Sequence, residues 1–237
     1  MGDMSIGDGQ PPPYAKVHGG PVDDLEFDDI LALRPKVHDL ISRHRRDAVF
    51  CKTHNACISV KDYPLITPEV TLGAFYVMRD PRDVAPSLAH HFGVTIDKAI
   101  DSMDQLSSTD SSPPFTVFSS WSRHVESWVD APGMEHRHVL KYEDMKNKSY
   151  KTFKGVLEFL AIKPEKERLK RAIRFSSFKT LKAIEQKKGF KEQSDKNNSF
   201  FRRGKTGGWK ETLTPGQVER IEHDHGEVME RFGYLEN

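Results

Sequence analysis

FYVMRDPRDVAPSLAHHFG, residues 75–93, is the stretch whose reading decides the fold. Phe75 to Met78 reads as a short apolar strand that ends at Arg79. Asp80 is placed to cap a helix, and Pro81 suits its first position. In parallel α/β sheets, ligands bind beyond the carboxyl ends of the strands, where helix N-termini also point. Arg79 stands at such an end, beside unpaired backbone amides. Ser87 falls about two turns into the helix, so its hydroxyl can donate to the same anion. A guanidinium, a hydroxyl and a positive helix end together describe a phosphate site. The plainer alternative pairs Arg79 with Asp80 or Asp83 and leaves Ser87 on the helix surface.

Working outward, AVFCKTH (48–54) reads as a buried strand ending near Lys52, with Thr53 and His54 beyond it. HVLKYED (138–144) reads as a third strand ending in Tyr142, Glu143 and Asp144. Singly, Lys52 fits an exposed cation and His54 a packed ring. Three strands whose ends all carry polar groups point instead to an active-site edge. Helical patterns lie between them: the segment after Pro81, FSSWSRHVESWV (118–129) and YKTFKGVLEFLAI (150–162). Strands separated by helices imply βαβ units and a largely parallel sheet.

Residues 1–21 are rich in Gly, Pro and Asp and read as a loosely ordered segment ahead of one domain, 22–237. Residues 23–45 show helical spacing, with Pro35 dividing two helices. SSTDSSPP (107–114) reads as a surface insertion. Thr214 to Gln217 offers a capping box for a last helix that Gly233 stops. The 237 residues carry a net charge of +1, which argues against a general nucleic-acid binder. Cys51 and Cys57 lack the spacing of a zinc knuckle, even with His54 between them, and two sparse thiols fit a reducing compartment. No apolar run approaches the ~20 residues of a membrane span, and the N-terminus has no secretory h-region. The cytoplasm is the expected location.

Between Lys187 and Lys210 stand eight Lys or Arg against two acids, among glycines and asparagines, which reads as a mobile cationic loop able to fold over an anion. Its GKT is not a Walker A ending: Ser199 stands where GxxxxGK[ST] needs glycine, and no strand precedes it.

These motifs, in order from about residue 48 to 235, resemble the sulfotransferases that use 3′-phosphoadenosine 5′-phosphosulfate (PAPS). VFCKTH looks like that family's strand ending in Lys-x-His, and the stretch quoted first looks like its 3′-phosphate motif. LKYEDM and RFSSFKTL resemble its nucleotide-side segments, and FFRRGKTGGWKETLT its RKGxxGxWK loop. The resemblance implies an α/β fold, a parallel β-sheet flanked by helices of the P-loop-kinase-like type. It implies that Arg79, Ser87, Arg202, Arg203 and Gly204 hold the 3′-phosphate, and that Tyr142, Ser176 and Phe178 contact the adenosine. His54 would be the general base, and Lys52 would stabilise charge near the sulfuryl group. PAPS would be the co-substrate and PAP (3′,5′-bisphosphate) the product, with no metal needed.

The family's opening strand and PKSGTTW-type loop, which cradles the 5′-phosphosulfate, have no counterpart here. GGPVDD at Gly19 has neither the Lys nor the Ser/Thr pair, so the N-terminal strand and loop are expected to be missing. A truncated enzyme is the favoured explanation, and a PAP-binding relative without catalysis is the alternative. A nucleotide phosphotransferase, with Asp144 as magnesium ligand, and a sensor of PAP or sulfated glycan are the rivals. The acceptor, a small molecule or glycan, is not readable, nor is the oligomeric state. Trp121 and Trp128 fit core positions better than an acceptor pocket.

Overall fold

A computed structural model describes residues 5–45, 48–105, 108–109, 113–190, 201 and 204–235. In chain order its elements are β1 (Ser5–Gly7), α1 (Pro11–His18), α2 (Phe27–Ser42), β2 (Phe50–Lys52), β3 (Ser59–Val60), β4 (Tyr63–Pro64), β5 (Ala74–Met78), α3 (Pro81–Phe92) and α4 (Ile96–Asp104). Then follow β6 (Ser108–Thr109), β7 (Val117–Phe118), α5 (Trp121–Val129), β8 (Arg137–Lys141), α6 (Tyr142–Asn147), α7 (Ser149–Phe159), α8 (Lys166–Phe175), α9 (Phe178–Lys188) and α10 (Pro215–Arg231). Single 3₁₀ turns lie at Pro68–Val70 and Gly208–Glu211.

The described strands pair two by two. β1 runs parallel to β2, with Ile6 opposite Cys51 and Gly7 opposite Lys52. β3–β4 and β6–β7 are antiparallel, and β5 pairs with β8. The chain divides into two compact units, Met1–Ala74 with Asp104–Arg137 and Phe75–Met103 with His138–Asn237.

The first unit corrects several expectations. The strand expected to be missing is present, because Ser5–Gly7 supplies a parallel partner for β2. Nor are the described residues of the N-terminal segment, from Ser5 on, loosely ordered: α1 follows, with Pro11 where a helix tolerates proline. Burial holds it. Tyr14 is fully inaccessible in a cluster with Val22, Ile30, Val37 and Ile41, and Ile6, Val17 and Phe115 pack against that cluster. Pro35 does not divide two helices but lies inside α2. Ile30, Leu31, Val37 and Ile41 bury one continuous face across it. Such packing offsets the ~3 kcal/mol that an interior proline costs. All three residues of β2 are exposed rather than buried, since a two-stranded pair lacks the flanking layers that cover a central strand. Part of SSTDSSPP is strand, β6, paired with β7; residues 107 and 110–112 lie outside the described residues.

In the second unit, β5 buries Ala74 and Met78 and delivers Arg79 to the start of α3. The Asp80 carboxylate caps α3 by accepting from the Arg82 amide at 2.9 Å. The last helix, α10, starts at the expected capping box of Thr214 and Gln217 and buries Ile221, Val228 and Met229. Tyr142–Asp144 opens α6 instead of closing the third strand, which stops at Lys141.

Candidate functional site

The second unit links four of the ten candidate residues, Arg79, Tyr142, Phe178 and Gly204, in contacts that begin at the start of α3. The Arg79 guanidinium lies 4.6 Å from the centre of the Tyr142 ring, a cation–π stack. Its Nη2 donates to the Lys205 carbonyl at 3.2 Å. Arg79 therefore grips the loop that carries Gly204. Gly204 has φ +58, and its backbone lies so close to the Phe178 ring that a side chain there would collide with it. This position requires glycine on both counts. Phe178 is the first residue of α9, whose N-cap is Ser177. Lys146 stands 5.2 Å from the centre of the same ring. Arg79, Tyr142, Gly204 and Phe178 thus form one connected patch.

Ser87 and Ser176 are less engaged. Ser87 is exposed on α3. The Ser176 hydroxyl donates within its own helix, to the Ala172 carbonyl at 3.0 Å, and the residue is exposed. Arg202 and Arg203 lie outside the described residues, as do 191–200 of the cationic stretch. Asp144 is ion-paired with Lys148 at 3.0 Å.

The residue the sequence reading undervalued is Asp83. It is not simply a counter-ion for Arg79, whose Nη2 stands 3.8 Å away. Its buried carboxylate accepts from the Gly207 amide at 2.7 Å and from the Trp209 amide at 2.9 Å. Charged acceptors make strong hydrogen bonds, and two from one carboxylate pin the turn. The Trp209 ring in turn lies 4.2 Å under the Arg82 guanidinium. Arg82 is itself held by Asp80, by Glu222 and by the Tyr234 carbonyl. Glu143 joins the frame by accepting from the Asp80 amide at 3.1 Å and from the Tyr234 hydroxyl at 3.2 Å. Burial, with Glu143 beside it, pushes the Tyr234 phenol well above its ordinary value, so it stays a donor. The signal was present as acids at the first and fourth positions after Arg79, but side-chain-to-backbone bonds across more than a hundred residues leave no spacing pattern.

The other two candidates belong to the first unit. Lys52 ends β2 and is exposed; His54, two residues on, is exposed as well. The His54 carbonyl accepts from His124 Nε2 at 3.3 Å. Burial holds the His124 imidazole below its ordinary value, against the opposing pull of that hydrogen bond, so the neutral ring donates. Asn55 is locked beneath, its side-chain oxygen accepting from the Val117 amide at 2.8 Å and its carbonyl from Trp128 Nε1 at 3.0 Å. That hydrogen bond, with Trp128 buried, fits the core role expected of this tryptophan. Cys51 and Cys57 are free thiols. Among the described residues no group of three or more His, Cys, Asp or Glu is placed to hold a metal ion, and no helix is long and apolar enough to cross a membrane.

An arginine at a strand end, stacked on a tyrosine and tied to the turn that backs an aromatic ring with glycine, is one connected arrangement on an α/β scaffold. Comparison with known proteins makes this specific. Residues 49–233 match the sulfotransferase domain, and the chain belongs to that family. Sulfotransferase 2A6 of Rattus norvegicus is 30% identical over 161 residues, 66% of this chain and 56% of that protein. Cytosolic sulfotransferase 17 of Arabidopsis thaliana is 29% identical over 181 residues, 68% of this chain and 50% of that protein. This chain thus spans little more than half the length of these relatives. Among solved structures, mouse sulfotransferase SULT7A1 complexed with PAP superposes with a TM-score of 0.61 at 23% identity, covering 82% of this chain and 70% of that one. A retinol dehydratase in complex with androsterone and inactive cofactor PAP gives 0.62 at 20% identity, covering 86% and 61%. The fold is the α/β sulfotransferase fold.

Proposed function

We propose that this protein transfers a sulfuryl group from PAPS to a hydroxyl or amine of a small-molecule or glycan acceptor, releasing PAP, in the cytoplasm. The observation that carries the reading is the connected patch of Arg79, Tyr142, Gly204 and Phe178. In this reading Arg79, Ser87, Arg202, Arg203 and Gly204 hold the 3′-phosphate, while Tyr142, Ser176 and Phe178 hold the adenosine. His54 is the general base. It takes the proton of the acceptor hydroxyl as the acceptor oxygen bonds to sulfur, and the sulfur–oxygen bond to the 5′-phosphate breaks with its electron pair leaving on PAP. Lys52 offsets the negative charge that develops in that step. His124, by holding the His54 carbonyl, limits where the imidazole can swing.

Two substitutions test the reading with labelled PAPS and a panel of phenols, alcohols, amines and sugars. His54→Ala is expected to lower transfer by ~10²–10⁴-fold while leaving PAP binding near wild type. Arg79→Ala is expected to weaken PAP binding by about 10–100-fold, the equivalent of losing a charged hydrogen bond. Wild-type transfer by His54→Ala would remove the base assignment. Unchanged PAP affinity in Arg79→Ala would remove the phosphate site.

A further inference from the structure

Asp83 anchors the far side of the Gly204 turn through the amides of Gly207 and Trp209. The near side has an anchor of its own, Glu185 on α9. Glu185 is 7% exposed, and its carboxylate accepts from the Phe201 amide, at 3.2 Å through Oε2 and 3.4 Å through Oε1. Positions 178 and 185 stand seven residues apart, two helical turns, so Glu185 lies on the same face of α9 as Phe178. The Phe201 ring meets the Phe178 ring edge-on, with centres 5.9 Å apart and planes at 80°. Phe190, two residues beyond the end of α9, meets the Phe201 ring at 5.0 Å. A buried carboxylate costs free energy unless it is hydrogen-bonded. Here the bond ends at Phe201, three residues before Gly204, and the Gly204 backbone lies against Phe178. Glu185 therefore acts on the patch by two routes: through the Phe201 ring on Phe178, and along the chain on Gly204.

We propose that Glu185 is a positioning residue for the nucleotide, fixing the Phe201 backbone so that Phe178 and Gly204 keep the spacing on which PAP binds. The proposal rests on the nucleotide reading given above and adds to it a residue that works through its neighbours. It also makes the start of the loop part of the folded protein before any nucleotide arrives. A glutamine at this position keeps an acceptor oxygen for the Phe201 amide, whereas an alanine has none.

The test is calorimetric titration of the full chain with PAP, in the wild type and in Glu185→Gln and Glu185→Ala. Glu185→Ala is expected to bind PAP about tenfold more weakly, and Glu185→Gln to stay within about threefold of the wild type. Wild-type affinity in Glu185→Ala overturns the inference and leaves the nucleotide reading intact. So does a Glu185→Gln as weak as Glu185→Ala, because the bond to the Phe201 amide is then not what sets the affinity. No binding of PAP by the wild type overturns both. Hydrogen exchange followed by NMR on the wild-type chain covers the case in which Glu185→Ala does not fold. The Phe201 amide is expected to be protected without PAP, and exchange at the unprotected rate overturns the inference.

Discussion

Asp83 shows how one buried side chain can set the shape of a turn more than a hundred residues away in sequence. It holds two backbone amides of the 204–210 turn, and the Arg79 guanidinium binds that turn at Lys205. An asparagine at this position has the same size but a single acceptor oxygen and no charge. One of the two amides would lose its partner, at a cost of about 1–3 kcal/mol to the closed turn. Asp83→Asn is therefore expected to weaken PAP binding about tenfold while keeping Arg79 in place. Calorimetry on the variant checks this, and a wild-type affinity would show that the turn needs no anchor. The role of Asp83 was hidden in the sequence for a physical reason. RDPRD advertises charge, but nothing local says whether an acid will face a guanidinium four residues away or an amide 124 residues away.

Elements were legible where the signal is local. The strand ending at Arg79, the Asp80 cap, the Thr214 capping box and the strand ending at Lys52 follow from periodicity and cap chemistry read within a few residues. Pairing was not legible. β1 is three residues long and sits in a stretch whose composition reads as disorder; it pairs with the distant β2, and Ile6 packs against the Tyr14 cluster, while Asp8 just after it bonds partners 26 and 47 residues away. For the same reason the Asp8 cluster could not be foreseen. α5 makes an element-scale prediction. His124 on this helix has an imidazole held below its ordinary value by burial. An unfolded histidine titrates near pH ~6.5. Below that value, and above its own folded value, the unfolded chain holds the extra proton. Stability therefore falls as pH drops through this range, and is fully present above it. Urea unfolding at pH 7.5 and 5.5 should show a smaller acid loss in His124→Gln than in the wild type. An identical loss in both would mean that other groups carry the slope.

At the scale of the whole molecule the proposed roles divide between the two units. The residues proposed to hold the nucleotide belong to the second, and Lys52 and His54 belong to the first. Hydrogen exchange makes this division measurable. PAP is expected to slow exchange at the start of α3, across 205–209 and at the start of α9. Unchanged rates in all three stretches would remove the nucleotide site. The charge balance also belongs to this scale: a net +1 gives the molecule no general attraction for polyanions.

Each unit is assembled from two separated stretches, and the chain crosses from one to the other after Ala74, after Met103 and after Arg137. During synthesis the first unit has all its parts once residue 137 has left the ribosome. The second does not, because Arg82 waits for Glu222 and for the Tyr234 carbonyl near the far end of the chain. Until residue 234 has been made, the β5–α3 segment must therefore stay unfolded or find substitute contacts. Of the two units, the one proposed to hold the nucleotide is the later to be completed.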